Sequence, residues 1–112
     1  LNSCAPSLSR CMPLLNDLED RIAQLVQQMR ADGIENIIFL GYYNATGNAA
    51  DLREINTYSM NRKAATYPGL GITFIDVRPA FDGNEARYIL NDGIHPTAEG
   101  SRVLADLIKR AL

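Results

Sequence analysis

Hydrophobic positions in the first third of the chain recur with helical spacing. Across residues 13–32, apolar side chains return every three or four positions, which is the period of a helix with one buried face. Pro13 is tolerated in a first helical turn, and Gly33 is a natural stop beyond the last turn. We therefore predict an amphipathic helix with the following inward positions: Leu14, Leu15, Leu18, Ile22, Leu25, Val26 and Met29.

Two largely apolar runs come next, at residues 34–42 and 71–77. The first contains Ile37-Ile38-Phe39-Leu40 between two glycines, and the second reads Gly-Ile-Thr-Phe-Ile-Asp-Val. Runs of this length, bounded by glycine, are typical of strands that are covered on both faces. We predict a buried strand at each.

Helical patterns separate and follow the two strands. Residues 49–66 are less cleanly amphipathic, and their predicted inward positions are Leu52, Ile55, Met60 and Ala64. Residues 88–90 form a short apolar element, and Thr97 can cap a final helix over residues 98–111. Strands that alternate with helices favour an α/β fold with a parallel sheet.

A sheet of two parallel strands is too small to be stable alone. At least one edge, along Ile37–Leu40, lacks a partner, and natural proteins rarely leave a long edge exposed. We therefore predict that residues 1–112 are a single partial domain, the second half of a doubly wound unit. We also expect a partner chain or a swapped element to pair with that edge.

Composition changes this interpretation little. The chain has a net charge of −2, and its 11 basic residues are scattered, which argues against a nucleic-acid surface. Arg62 and Lys63 form the one briefly basic window, and a solvated helix face explains them. No apolar run is long enough to span a bilayer.

Cys4 and Cys11 lie close enough in sequence to close a small disulfide loop, which would imply a secreted or periplasmic protein. Two reduced thiols are the alternative. With two cysteines and one histidine, a Cys/His zinc site is not expected, and the sequence predicts neither a metal nor a cofactor.

The candidate chemistry lies near the end of the chain. His95 is the only histidine, and it follows Asp92 by three positions on a loop that opens the last helix. An imidazole suits proton transfer near neutral pH, and a nearby acid can hold one tautomer and stabilise the charged ring. The structural alternatives are a histidine that packs at a helix start and an Asx turn at Asp92-Gly93.

Two further side chains are candidate substrate contacts. Asn44 and Tyr42 lie in or beside the loop after the first strand, and α/β sheets bind ligands at the carboxyl ends of their strands. A plain turn is the alternative for Asn44, and packing at the rim of the core is the alternative for Tyr42.

The run Asp92-Gly93-Ile94-His95-Pro96, then Thr97-Ala98-Glu99-Gly100 and an amphipathic helix, resembles the last conserved block of the GDSL/SGNH hydrolases. These are flavodoxin-like serine esterases, lipases and acetylesterases. The resemblance implies a three-layer αβα fold, of which this chain holds two parallel strands and three helices. It also implies that Asp92 and His95 belong to a Ser-His-Asp triad.

The family's Gly-Asp-Ser-Leu and Gly-x-Asn-Asp motifs are not present in this sequence. The resemblance therefore implies the acid–base half of a serine hydrolase that cleaves small carboxylic esters through an acyl-enzyme. A complementary N-terminal segment or a second chain would supply the nucleophile and the oxyanion hole, and this chain alone would be almost inactive. The alternative function is a non-catalytic α/β module that binds a partner through its exposed sheet edge.

Overall fold

The computed structural model describes residues 7–46 and 49–112, with only the backbone described at residues 49–51. Within those ranges the chain forms an α/β fold of five α-helices, one short 3-10 helix at Pro68–Leu70 and two strands. In chain order they are α1 (Leu8–Ala31), β1 (Ile37–Leu40), α2 (Ala49–Thr66), β2 (Ile72–Ile75), α3 (Arg78–Phe81), α4 (Glu85–Tyr88) and α5 (Ala98–Ala111).

The two strands pair in parallel, as predicted, with Ile37 opposite Ile72 and Leu40 opposite Ile75. The α/β class and the three long helices are also confirmed. However, α1 begins at Leu8, five residues before its predicted start, so Pro13 lies in the second turn and not in the first.

Both strands are shorter than the apolar runs indicated, and α3 and α4 are single turns that periodicity did not predict. The prediction of a buried strand is wrong for β1, whose four residues are only half-buried because β2 pairs with just one of its edges. The apolar element at residues 88–90 crosses the end of α4, and Ile89 forms an isolated antiparallel bridge with Pro96.

Successive strand residues point to opposite faces of the sheet, and helices cover both of these faces. On one face, Phe39 and Phe74 pack with Val26 of α1 and with Tyr67, which follows α2. On the other face, Leu40 and Ile75 pack with α5 through Val103, Leu104 and Leu107.

The predicted inward stripe of α1 is only partly correct. Leu15 and Val26 are buried, whereas Leu14, Leu18 and Leu25 are 45%, 44% and 58% exposed. A helix of 24 residues is about 36 Å long, and two short strands with one neighbouring helix do not cover all of its apolar face. The pattern identifies the apolar face but not how much of it is covered.

The buried positions of α2 also differ from the predicted ones. Ile55 and Met60 are buried, but Ala64 is exposed and Lys63 is only 1% exposed. The Lys63 ammonium donates to Glu19 Oε1 of α1 and, over 3.0 Å, to the Tyr67 hydroxyl. A solvated helix face was therefore the wrong interpretation for Lys63, because a carboxylate from another helix satisfies its charge inside the core.

Cys11 is fully buried in a cluster with Leu15 and Ile55, and it is disulfide-bonded. Cys4, its predicted partner, lies outside the described residues. Across residues 7–46 and 49–112, no helix is both long and apolar enough to cross a membrane.

Candidate active site

The loop that carries Asp92 and His95 folds back on itself between α4 and α5. Leu90 N–H donates to the His95 carbonyl over 2.8 Å, and Gly93 N–H donates to the Leu90 carbonyl over 2.9 Å. Gly93 has a φ of +75°, a left-handed conformation that favours glycine. The turn therefore places residues 92 and 95 side by side.

The Asp92 carboxylate organises the turn and also contacts the imidazole. Its Oδ1 accepts from the backbone N–H of Ile94 (2.9 Å) and of His95 (3.0 Å), while its Oδ2 lies 2.5 Å from His95 Nδ1. The side-chain hydrogen bond to His95, followed by the two backbone bonds, lowers the pKa of Asp92 to about 2. The Asx turn and the Asp–His pair are thus two roles of one side chain, and either role alone explains only part of its contacts.

The imidazole is fixed at one nitrogen and exposed at the other. The His95 side chain is 71% exposed, and within the described part of the chain Nε2 makes no hydrogen bond. A carboxylate at Nδ1 favours the tautomer that carries its proton there, which leaves the Nε2 lone pair as the basic site. This arrangement suits a general base that still requires a proton donor.

Tyr43, in the loop after β1, contacts the turn that carries Asp92 and His95. Its hydroxyl donates to the Ile94 carbonyl, and its ring stacks on Phe81 with centroids 4.3 Å apart. Burial, and then the negative charge of Asp92, raise the pKa of the Tyr43 hydroxyl, so the group remains a donor over the neutral range. Thr46 N–H adds a bond of 2.9 Å to the Gly93 carbonyl.

The start of α5 fixes the other side of the loop. The Thr97 hydroxyl accepts from Gly100 N–H over 3.0 Å, which confirms the predicted cap, and it donates to the Arg87 carbonyl over 2.7 Å. Gly100 lies against α4 so closely that a Cβ there would be 2.2 Å from the Tyr88 carbonyl oxygen. The position of His95 therefore depends on close α4–α5 packing as well as on the turn.

The two predicted substrate contacts lie in different surroundings. Asn44 is buried; its Oδ1 accepts from Asn56 over 3.0 Å and its Nδ2 donates to Asp82 over 3.4 Å. Tyr42 is 61% exposed, and its backbone N–H points to the sulfur of Met60. Asn44 thus uses both polar atoms to hold its loop, whereas Tyr42 is accessible to a ligand.

An apolar groove of about 640 Å³ begins beside the loop. We call it the edge groove and define it by Leu18, Ile22, Phe39, Leu40, Ile94 and Leu104, which all line it. Tyr42 and Tyr43 also line it, so the predicted contact Tyr42 and the supporting Tyr43 belong to the same surface.

No serine completes the pair among the described residues. Ser59 lines the edge groove from α2, Ser101 is exposed on α5, and the hydroxyls of Ser7 and Ser9 bond to each other over 2.8 Å. None of these hydroxyls bonds to His95. Ser3 lies outside the described residues. The same ranges hold no group of three or more His, Cys, Asp or Glu side chains placed to bind a metal.

Comparison with models of known families, with curated proteins and with solved structures gives no match to this chain.

Sequence reasoning did not identify Tyr43 as a support of the loop. A signal was available, because the segments after parallel strands meet at one edge of the sheet. A contact between an aromatic hydroxyl in the segment after β1 and the Asp-His loop could therefore have been predicted.

Proposed function

We propose that this chain is the acid–base half of a serine ester hydrolase of the GDSL/SGNH type. The observation that carries the proposal is the Asp92–His95 pair, in which Nδ1 is held by a carboxylate and Nε2 is exposed without a partner among the described residues. A histidine that only packed at a helix start would not need this arrangement.

In the proposed reaction, Nε2 of His95 removes the proton from a serine hydroxyl as the serine oxygen attacks the ester carbonyl carbon. The imidazolium then returns that proton to the departing alcohol, which leaves an acyl-serine that water hydrolyses by the same steps. Asp92 orients the ring and stabilises its positive charge. With a pKa of about 2, Asp92 is already ionised throughout the neutral range.

A complementary N-terminal segment or second chain supplies the serine and the oxyanion donors in this proposal. One such donor contributes about 3–4 kcal/mol to transition-state stabilisation, so this chain alone is expected to be nearly inactive. No cofactor takes part, and the substrate class stays broad, since lipid, acetyl-sugar and thioester substrates all fit the same chemistry. The buried, disulfide-bonded Cys11 supports a secreted or periplasmic location.

The α/β fold with helices on both faces of a parallel sheet is compatible with part of a three-layer flavodoxin-like domain. The half-exposed β1 is equally compatible with the alternative function, a partner-binding module without catalysis. Catalytic dependence on His95 separates these two functions.

The test is a chimera. The N-terminal half of a characterised GDSL/SGNH esterase, with its own Asp-His block removed, is joined to this chain, and hydrolysis of p-nitrophenyl acetate is measured. We expect activity that falls by about 10³-fold or more in His95→Ala, because triad members act as a unit.

Asp92→Asn should also lose most activity. Asp106→Asn is the matched control, since it removes an exposed acid on α5, away from the Asp-His loop, and should change nothing. A folded chimera that is equally active with and without His95 would refute the proposed function.

A further inference from the structure

Asn44 is one of two buried polar or charged residues in the described part of the chain, and Lys63 is the other. A buried amide is costly unless its hydrogen bonds are made, so its partners indicate its role. The Asp82 carboxylate can only accept, which makes Nδ2 of Asn44 the donor in their 3.4 Å bond. Oδ1 of Asn44 is then the acceptor of the 3.0 Å bond from Asn56 Nδ2. The orientation of this amide is therefore fixed by two partners.

These partners belong to two helices that are distant in sequence. Asn56 lies on α2, and its Nδ2 also donates to the Tyr42 carbonyl over 3.0 Å. Asp82 caps the end of α3, and the residue before it, Phe81, stacks its ring on that of Tyr43. The loop after β1 is thus anchored to α2 and α3 at three consecutive residues.

The same loop contacts the Asp-His loop from both sides of Asn44. The hydroxyl of Tyr43 donates to the Ile94 carbonyl, and the N–H of Thr46 donates to the Gly93 carbonyl over 2.9 Å. The two acceptors are neighbours in sequence, so they belong to two successive peptide groups of the Asp-His loop. The anchored loop therefore holds both of these peptide groups by their oxygens.

The two peptide groups connect the anchored loop to the Asp92–His95 pair. A trans peptide group is planar, and its C=O and N–H point to opposite sides. The N–H groups of Ile94 and His95 therefore point away from the anchored loop, and both donate to Asp92 Oδ1, over 2.9 Å and 3.0 Å. The other oxygen of this carboxylate lies 2.5 Å from His95 Nδ1. A continuous series of contacts thus joins the buried amide to the imidazole.

We propose that Asn44 is a positioning residue, which holds the loop that orients the Asp92–His95 pair and does not contact the substrate. This inference rests on the proposed function for the reaction that the pair performs. A substrate contact needs an accessible polar atom, whereas both polar atoms of Asn44 are bonded and the residue is 8% exposed. The nearby ion pair of Arg53 and Asp82 contributes little, because the two side chains are 55% and 45% exposed.

Amide exchange and carboxyl titration, both followed by NMR in the 112-residue chain, test the proposal. In Asn44→Ala, exchange at Ile94 and His95 should be about fivefold or more faster than in the parent, since the loop that holds their peptide groups is released. The pKa of Asp92 should rise from about 2 towards 3.8, because the bonds that lower it are loosened. Asn56→Ala removes one anchor and introduces a better helix former, so it should fold and give the same changes to a smaller degree. It decides the test if Asn44→Ala does not fold.

Asn16→Ala is the matched control. Asn16 Oδ1 accepts from Tyr58 over 3.1 Å and from Arg62, so this amide joins α1 to α2 by two side-chain bonds. Its loss should reduce the free energy of unfolding about as much as Asn44→Ala does. Exchange in the Asp-His loop and the pKa of Asp92 should stay unchanged. Equal changes in the two variants would show a general loosening of the fold and would overturn the proposal.

Kinetics of the chimera separate positioning from substrate binding. In Asn44→Ala we expect kcat for p-nitrophenyl acetate to fall by about tenfold or more while KM changes little, because the catalytic pair is misplaced and the substrate keeps its contacts. A raised KM with an unchanged kcat would make Asn44 a substrate contact and would overturn the proposal.

Unchanged exchange and an unchanged Asp92 pKa in folded Asn44→Ala and Asn56→Ala chains would also overturn it, even if the chimera is active. The NMR measurements do not depend on catalysis. The expected NMR changes in a chain whose chimera is inactive would therefore count against the proposed hydrolase alone and would support the positioning role.

Discussion

Removing the charge of Lys63 while keeping its side-chain stem should strongly destabilise the fold. The Lys63 side chain is 2% exposed and that of its partner Glu19 is 9% exposed. The Lys63 ammonium also lies 5.2 Å from the ring centre of Phe39 and 5.1 Å from that of Tyr67. In Lys63→Met the stem keeps its packing, but the Glu19 carboxylate stays buried without its counter-charge.

The expected cost follows from this burial. Breaking a buried ion pair by removing one partner costs about 3–5 kcal/mol, because one charge is left uncompensated. Glu19 Oε2 already has no hydrogen-bond partner among the described residues, so the structure offers little to replace the lysine. A loss of about 3 kcal/mol is a large share of the free energy of unfolding of a typical domain, which is roughly 5–15 kcal/mol.

Urea unfolding followed by circular dichroism gives the free energy of unfolding for each variant. The double variant Glu19→Leu/Lys63→Met should recover most of the loss, since it removes both charges from the core. Arg21→Met is the control: Arg21 pairs with Asp17 on the exposed side of α1, with side chains 74% and 57% exposed, and its loss should cost no more than about 1 kcal/mol. Equal, small losses in Lys63→Met and Arg21→Met would refute the buried pair.

Three further substitutions test the support of the Asp-His loop. Gly100→Ala should destabilise the protein by about 1–3 kcal/mol in thermal unfolding, because the new methyl group overlaps the α4 backbone. His95→Ala removes the largest cause of the lowered pKa of Asp92, so carboxyl NMR titration should show this pKa rising from about 2 towards 3.8. The stability that Asp92 contributes is present above pH ~4 and is lost as pH falls towards 2, and the variant should lose this dependence. Tyr43→Phe should leave the fold intact but speed amide exchange at Ile94 and His95, because the turn that holds both N–H groups on Asp92 loses the hydroxyl bond to its Ile94 carbonyl.

The controls for these variants come from the same structure. Gly69→Ala meets nothing within 4 Å and should be tolerated, unlike Gly100→Ala. Tyr88→Phe removes a hydroxyl that makes no hydrogen bond among the described residues, so it should leave exchange in the loop unchanged. A Gly100→Ala variant as stable as the parent would contradict the close approach of Gly100 to α4. An unchanged Asp92 pKa in His95→Ala would contradict the Asp92–His95 bond, and unchanged loop exchange in Tyr43→Phe would contradict the Tyr43–Ile94 bond.

Local patterns predicted much of this structure. The apolar runs that glycine bounds contain both strands, and α1 and α5 follow from 3.6-residue periodicity and from capping at Thr97, whereas the pattern for α2 was weaker. The Asp92–His95 contact was also predictable, because the two residues are three positions apart on one turn. These features depend on neighbours in the sequence.

Contacts between distant segments could not be predicted in the same way. Lys63 is buried because Glu19, 44 positions earlier, neutralises it, and periodicity reports neither fact. Tyr43 reaches the Ile94 carbonyl across 51 positions, and only the meeting of two loops at one sheet edge brings them together. The exposure of Leu18 and Leu25 has the same origin, since an apolar stripe does not show what covers it.

The most direct test of the central claim is intact mass spectrometry after treatment with a fluorophosphonate, which labels activated serines. It is applied to the 112-residue chain and to the chimera described above. We predict no label on the chain alone, one label on the donor serine of the chimera, and loss of that label in His95→Ala. A label on a serine of the 112-residue chain itself, or labelling of the chimera that persists without His95, would contradict the proposal that this chain is the acid–base half of a hydrolase.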